Sequence, residues 1–218
     1  MTGPEMLEWL RSRRSVRTFT DQPVARDALV RVLEGAITAP SSTNRQPWRF
    51  AVVRSPAMRA RIVEAVARRT AEIKAIIARS HHAEDFGNYG DFFHEPLGSA
   101  QVIVVPQYRE YPDLIANLIA SGGGDPAAFS TASAMQSELV STSAAIMALL
   151  LQVHAEGLGA CMMAGPMVAR AELHALLGIE APWRMVGAIA IGHPDGGAPA
   201  RGRKPLDRVV TWIEEEPA

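Results

Sequence analysis

The sequence predicts an α+β fold carried by one domain over residues 1–218. Three observations support this. Long stretches repeat apolar residues at helical spacing, three or four short β-rich runs lie scattered between them, and neither an internal repeat nor an interdomain linker interrupts the chain. Pro4 stands in the first turn of a stretch periodic in Met6, Leu7 and Leu10, which predicts a short helix to about Ser12. A basic run, Arg11 to Arg17, leads to a turn at Asp21-Gln22-Pro23. Leu29, Val30, Leu33, Ala36 and Ile37 then mark an amphipathic helix over 26–38, stopped by Ala39-Pro40. Trp48 to Val53 reads as a strand, closed by Arg54-Ser55-Pro56.

A helix with its charges facing solvent is expected over 57–80, and irregular chain over 81–98. Gln101 to Val105 is the best buried strand, with Pro106 as its stop. Residues 107–130 read as loop and helix around the tip Ser121-Gly122-Gly123-Gly124-Asp125-Pro126. Thr131 to His154 is expected to be the longest helix. Ala, Ser, Met and Leu cover it nearly all round between Leu139 and Leu151, which predicts burial on every side, and Gly157 or Gly159 ends it. A helix over 167–177 stops at Gly178, and Met185 to Ile191 is an apolar strand. The basic tail Arg201 to Leu206 enters a last extended segment ending near Ile213.

Composition narrows the function classes. The 218 residues carry 22 Lys+Arg against 23 Asp+Glu, so no positive field favours nucleic acid. No apolar run approaches the roughly 20 residues that span a bilayer, and the first residues lack a basic segment before an apolar one. A lone cysteine, Cys161, excludes an intrachain disulfide or a cysteine-based zinc site. These features predict a soluble, cytoplasmic protein. His81, His82, Glu84, Asp85, His94 and Glu95 match no zinc or di-iron spacing and read as solvated loop, His81 and His82 being unable to project the same way on a helix. Gly157-Leu158-Gly159 lacks both the preceding strand and the third glycine of a dinucleotide fingerprint.

Four separated blocks are polar or glycine-rich where the surrounding pattern is apolar: SRRSVRTF at 12–19, APSSTNRQPWRF at 39–50, EGLGACMMAGP at 156–166 and GRKPLDRVV at 202–210. In order and spacing they resemble the FMN-dependent nitroreductases over nearly the whole chain. That resemblance implies a three-layer α-β-α arrangement, with helices around a mixed, mainly antiparallel sheet. It also implies a homodimer with FMN at the subunit interface. Arg13, Arg14, Ser15, Arg17 and Arg203 are implied at the cofactor phosphate, where guanidinium groups suit an oxyanion. Pro40, Ser41, Ser42, Asn44 and Gln46 are implied against the isoalloxazine and ribityl of the other subunit's flavin. Met163, Ala164 and Gly165 match the positions whose backbone approaches the flavin N5 and pyrimidine edge, where small residues allow close contact.

Many relatives carry a lysine near flavin N1 and O2; here the stretch is Phe92-Phe93-His94-Glu95-Pro96, and His94, Arg45 and Lys74 are the alternative cations. Met162 and Met163 suit either ring packing or core filling. Cys161 reads as a small buried residue rather than a nucleophile. The implied activity is hydride transfer from NAD(P)H through flavin N5 to a nitroaromatic, quinone or similar electron-poor acceptor, by a substituted-enzyme mechanism with no catalytic side chain. Tyr89, Phe92, Phe93 and Phe129, with Tyr108 and Tyr111 of a movable 108–129 segment, are expected to roof the substrate slot. Two alternatives stay open. One is a same-fold flavoenzyme of specialised chemistry (dehalogenation, flavin fragmentation or ring oxidation), and the other is a non-catalytic flavin store.

Overall fold

The structure, a computed structural model, describes residues 1–129 and 135–214. Helix α1, Gly3–Ser12, opens on a capping box in which Thr2 Oγ1 accepts from the Glu5 N–H and the Glu5 carboxylate accepts from the Thr2 N–H. Helix α2, Arg26–Ile37, buries Leu29, Val32 and Ala36, and strand β1, Trp48–Val53, follows. Helix α3, Pro56–Ile77, starts on a Ser55 cap and a first-turn proline; at 22 residues it is the longest described. After it in the chain come the short helices α4, Ala83–Phe86, and α5, Glu95–Ser99.

Strand β2, Val102–Arg109, runs through Pro106 instead of stopping there. Its odd residues bond to β1, as Arg109 N–H to Pro47 O at 2.8 Å fixes. The missing N–H of Pro106 therefore faces the other way, towards Val186 and Gly187, where the neighbouring strand is interrupted and no ladder bond is lost. The same interruption divides the expected 185–191 strand into β4, Trp183–Met185, and β5, Ala188–Gly192. Helix α6, Leu114–Ser121, and helix α7, Ser137–Ala155, lie between β2 and β3 in the chain. The 131–134 part of the predicted long helix lies outside the described residues. Helix α7 ends in a Schellman motif: Gly157 at φ 70°, its N–H on His154 O and the Leu158 N–H on Val153 O.

Strand β3, Gly159–Met163, was not anticipated, because its glycines and methionines carry no β-branched signature. The predicted 167–177 helix begins as a 3₁₀ turn at Gly165–Ala169 and continues as α8, Arg170–Leu177. Among its described residues, to Glu214, the tail beyond Pro199 holds one 3₁₀ turn, Leu206–Arg208, in place of the expected extended segment.

The sheet runs β1-β2-β5-β3, with β4 beside the far end of β2, and every strand ladder is antiparallel. Among the described residues the one parallel pairing is an isolated bridge between Ser15 and Ala160. One face packs Ile103, Val105, Cys161, Met163 and Ala190 on Ile62, Val66, Leu97 and Leu173 from α3, α5 and α8. The opposite face packs Val102, Val104, Ala160, Ile189 and Ile191 on Leu29 and Val32 of α2 and Ile146, Leu149 and Val153 of α7. Three layers, helix on sheet on helix, result. A bidentate pair of Arg31 Nε and Nη2 to Glu156, at 2.8 and 2.6 Å, ties α2 to the end of α7. By length and composition α7 could cross a membrane, which corrects the expectation from run length. Buried Glu138, Ser141 and Thr142 identify it instead as a core helix of this packing. It is not buried on every side, for Val140 and Met147 stay exposed.

Candidate functional site

After α1 the chain crosses the open edge of β3. The Val16 N–H donates to Ala160 O at 3.0 Å, and the buried Val16 and Phe19 side chains pin the segment to the sheet. Arg13, Ser15 and Arg17 are thereby held outside the core. Pro199, Ala200, Arg201 and Arg203 return from the far end of the chain to face them. Together with Leu10, Arg11 and Arg14 they line a cavity of about 540 Å³. Among the described residues no carboxylate lines it. Among the described residues Arg13, Arg14, Arg17, Arg201 and Arg203 form no ion pair; Arg14 Nη1 instead donates to Arg11 O at 2.6 Å and Arg17 Nη1 to Ser15 O at 3.2 Å. Such a concentration of unneutralised guanidinium groups suits an anion.

A second cavity of about 480 Å³ lies beside it, lined by Arg17, Tyr89, Phe92, Phe93, Pro96, Cys161 to Gly165 and Val168. Arg17 lines both. The second cavity is built on a sheet edge. Since Ala160 turns its carbonyl outward to Val16, alternation turns the Met162 N–H and C=O outward as well, past the point where the N-terminal segment leaves the edge. These edge groups were missed in the sequence, because only the strand's phase reveals them. Small residues keep the approach open: a Cβ on Gly165 would lie 2.3 Å from Phe93 Cδ1, and one on Gly187 would lie 2.4 Å from Met163 O. The outer wall is aromatic, with Tyr89, Phe92 and Phe93 in mutual edge-to-face contact at centroid separations of 4.9 to 6.2 Å. Burial pushes the Cys161 thiol up, against the opposing pull of Arg17 and Arg13, so it stands there as a neutral side chain.

Other expected site residues fall elsewhere. None of Pro40, Ser41, Ser42, Asn44 and Gln46 lines either cavity; their turn lies at the start of β1, against α7. One chain does not bring the two halves of the implied flavin site together. Phe129 is 60% exposed and away from the aromatic wall, and Tyr111 is packed between Arg45 and Arg109. Of the three alternative cations none reaches the second cavity. Lys74 Nζ is on Asp91 Oδ1 at 2.6 Å, Arg45 is on Glu138 at 3.3 Å, and His94 precedes α5 with its Nδ1 buried and unpartnered among the described residues. The cation at that cavity is Arg17. His81 and His82 do project together, their ring centroids 3.9 Å apart, because they sit in a turn rather than on a helix.

Known proteins share this architecture. The chain is 30% identical over 205 residues to an NADH dehydrogenase of Thermus thermophilus, covering 92% of each chain. The structure of a BluB-like flavoprotein from Clostridium difficile superposes with a TM-score of 0.84 at 22% identity, over 96% of this chain and 99% of that one. Iodotyrosine deiodinase bound to FMN and 3-iodo-L-tyrosine superposes with a TM-score of 0.73 at 20% identity, over 95% and 98% of the two chains. Residues 10–193 match the Nitroreductase family, and on that extent of match the chain belongs to it.

Proposed function

We propose that residues 1–218 form one FMN-binding domain of a homodimeric, cytoplasmic oxidoreductase that takes hydride from NAD(P)H and passes it to nitroaromatic, quinone or similar electron-poor acceptors. The observation that carries the reading is the joint between the two cavities: an arginine-lined anion site and a small-residue slot that share Arg17. A phosphate ester at one end of a flat conjugated ring has that distribution of charge and shape. Arg13, Arg14, Ser15 and Arg203 bind the phosphate. The backbone of Met162, Met163, Ala164 and Gly165 meets the ring edge, and Arg17 holds negative charge between the two. Pro40, Ser41, Ser42, Asn44 and Gln46 serve the flavin of the partner chain. When bound, FMN supplies a ring that accepts and donates hydride. This chain's residues orient it, keep Cys161 neutral beside it, and shape with Tyr89, Phe92 and Phe93 a water-poor slot for reductant and acceptor in turn. Phe129 joins that slot only if the 108–129 segment closes over it.

Purified protein should be yellow or bind added FMN, and should oxidise NADH or NADPH faster with nitrobenzoate or menadione present. Protein that stays colourless with added FMN sinks the reading. Arg13→Ala with Arg203→Ala should weaken FMN retention by at least about a hundredfold, since each charge-assisted bond is worth about 1.5–3 kcal/mol. Sequence similarity to iodotyrosine deiodinases favours reductive dehalogenation as the second reading. Iodide release from 3-iodo-L-tyrosine, without turnover of the nitro and quinone acceptors, would replace the first reading by the second. FMN binding without any turnover would leave a flavin store.

A further inference from the structure

Three non-glycine residues of a single turn lie in the left-handed region: Thr43 at φ 50°, Asn44 at φ 53° and Gln46 at φ 48°. Side chains seldom adopt this conformation, and it persists where the surroundings impose it. The turn closes on itself through the Gln46 N–H to Ser41 Oγ at 2.9 Å and Gln46 Nε2 to Asn44 Oδ1 at 3.2 Å. Those bonds do not fix it to the rest of the fold. Its attachment runs through the first turns of α7, where the Ser42 N–H donates to Ser141 Oγ at 3.1 Å and Arg45 Nη1 meets Glu138 Oε1 at 3.3 Å. Glu138 is only 7% exposed, and Ser137 Oγ donates to its other oxygen at 3.1 Å. It stands two residues beyond Gln136, which is itself left-handed at φ 52°. Arg45 has a further partner: the Tyr111 ring centre is 5.3 Å from its guanidinium carbon and 5.0 Å from that of Arg109.

We infer that the Arg45–Glu138 pair is a positioning clamp for the flavin. It fixes the strained Ser41–Gln46 turn against α7 in the conformation that meets the ring, and through Tyr111 it ties that turn to the foot of the segment bearing α6. The inference rests on the reading that this turn belongs to the FMN site. With Glu138 buried and Arg45 reaching it from the surface, the pair is weak evidence of stability, since apolar residues of similar volume often serve as well. Its directionality, however, specifies one arrangement over others. The side-chain choice agrees with that role. A planar guanidinium can lie over Tyr111 while one N–H reaches Glu138, and a compact ammonium cannot do both. Arg45 therefore acts through the turn and not as a cation at the ring, and Glu138 acts through Arg45. Both are positioning residues.

FMN titration of the full-length apoprotein tests this, with affinity read from flavin fluorescence and ring environment from visible circular dichroism of the bound flavin. The variants are Arg45→Met, Glu138→Gln, Arg45→Lys and the double variant Arg45→Met/Glu138→Gln. The double variant leaves no unpaired buried charge, so it remains measurable if a single variant fails to fold. The double variant should bind FMN about tenfold more weakly and show altered flavin dichroism. Each single variant that folds should lose about as much, because two residues acting through one contact are non-additive. Arg45→Lys should recover only part of the affinity. Losses that add, or variants that lose thermal stability while FMN affinity and dichroism stay at wild-type values, overturn the clamp. Wild-type protein that binds no FMN overturns the site reading together with the clamp, so the two failures are distinguishable.

Discussion

A methyl group at position 165 would have to share space with the Phe93 ring, whose Cδ1 would lie 2.3 Å from it, well inside any van der Waals contact. Phe93 is buried and lines the second cavity, so it can yield only by turning into that space. Gly165→Ala should therefore cost about 1–3 kcal/mol of stability, as overpacking does, and weaken FMN binding too. Gly98→Ala, where a Cβ meets nothing within 4 Å, should be neutral or slightly stabilising in the same melting experiment. Thr142 presents the opposite fault, a fully buried hydroxyl with no partner among the described residues. Thr142→Val should raise stability by about 1 kcal/mol, measured by denaturant unfolding, and an unchanged midpoint would mean the hydroxyl is satisfied after all. His174 gives acid sensitivity. Burial, then Arg170 and Arg184, hold it below its ordinary 6.5, and its neutral Nε2 accepts from the Met185 N–H at 3.4 Å. With the folded value depressed, its contribution is complete above the unfolded value and disappears as pH falls through the folded one. His174→Gln should flatten the loss of melting temperature as pH falls below the ordinary histidine value of 6.5.

At the scale of elements, what could be read in advance depended on whether the signal was local. The 26–37 helix and the 48–53 strand came from periodicity and their proline boundaries, and both stand within a residue of expectation. Pro106 misled because a proline forbids a strand only where its missing N–H is needed, and the partner's interruption at Val186 and Gly187 is a tertiary fact. Strand β3 was hidden for a related reason. Gly159-Ala160-Cys161 has little intrinsic strand preference and is extended because β5 on one side and the Ser15 segment on the other require it. The site divides in the same way. The arginines at 13 to 17 and 201 to 203 were legible as charge, but Arg17 as the joint between two cavities was not, nor were the outward groups of Met162. The aromatic wall bears on specificity. Phe92 is 53% exposed and in contact with both Tyr89 and Phe93, so its loss removes surface without uncovering the core. Phe92→Ala should leave melting temperature almost unchanged while altering relative kcat/KM among acceptors of different size by several-fold, since loss of one apolar contact is worth about 1–3 kcal/mol. Equal rates across such a series would remove that wall from the substrate site.

On the scale of the whole molecule, one chain leaves two things incomplete. The Ser41–Gln46 turn is set in a strained conformation yet faces neither cavity of its own chain, and the sheet's companion helix α7 keeps an uncovered stripe. That stripe is regular. Val140, Ser143, Met147 and Ala155 are the exposed positions, with Ala144 and Leu151 half-buried beside them, a spacing of one helical face. Expecting the helix to be buried all round thus holds for one chain on one face only, and the remainder is an uncovered, largely apolar stripe. Helix α1 shows Met6, Leu7 and Leu10, and the tail shows Val209, Trp212 and Ile213, so the exposed apolar area is spread over several elements rather than confined to a stray residue. A two-fold dimer built on α7 would cover such a stripe with its own copy, since an isologous interface presents the same patch from both sides. It would also allow each turn to serve the other chain's arginine-lined cavity. Light scattering should then give twice the 23.5 kDa of one chain. Met147→Glu places a charge in the middle of the stripe while leaving the buried face of α7 untouched. It should dissociate the protein to monomers that keep their helical circular dichroism and lose FMN together with the interface. A monomeric Met147→Glu protein that retained FMN at wild-type affinity would show that one chain completes the site alone.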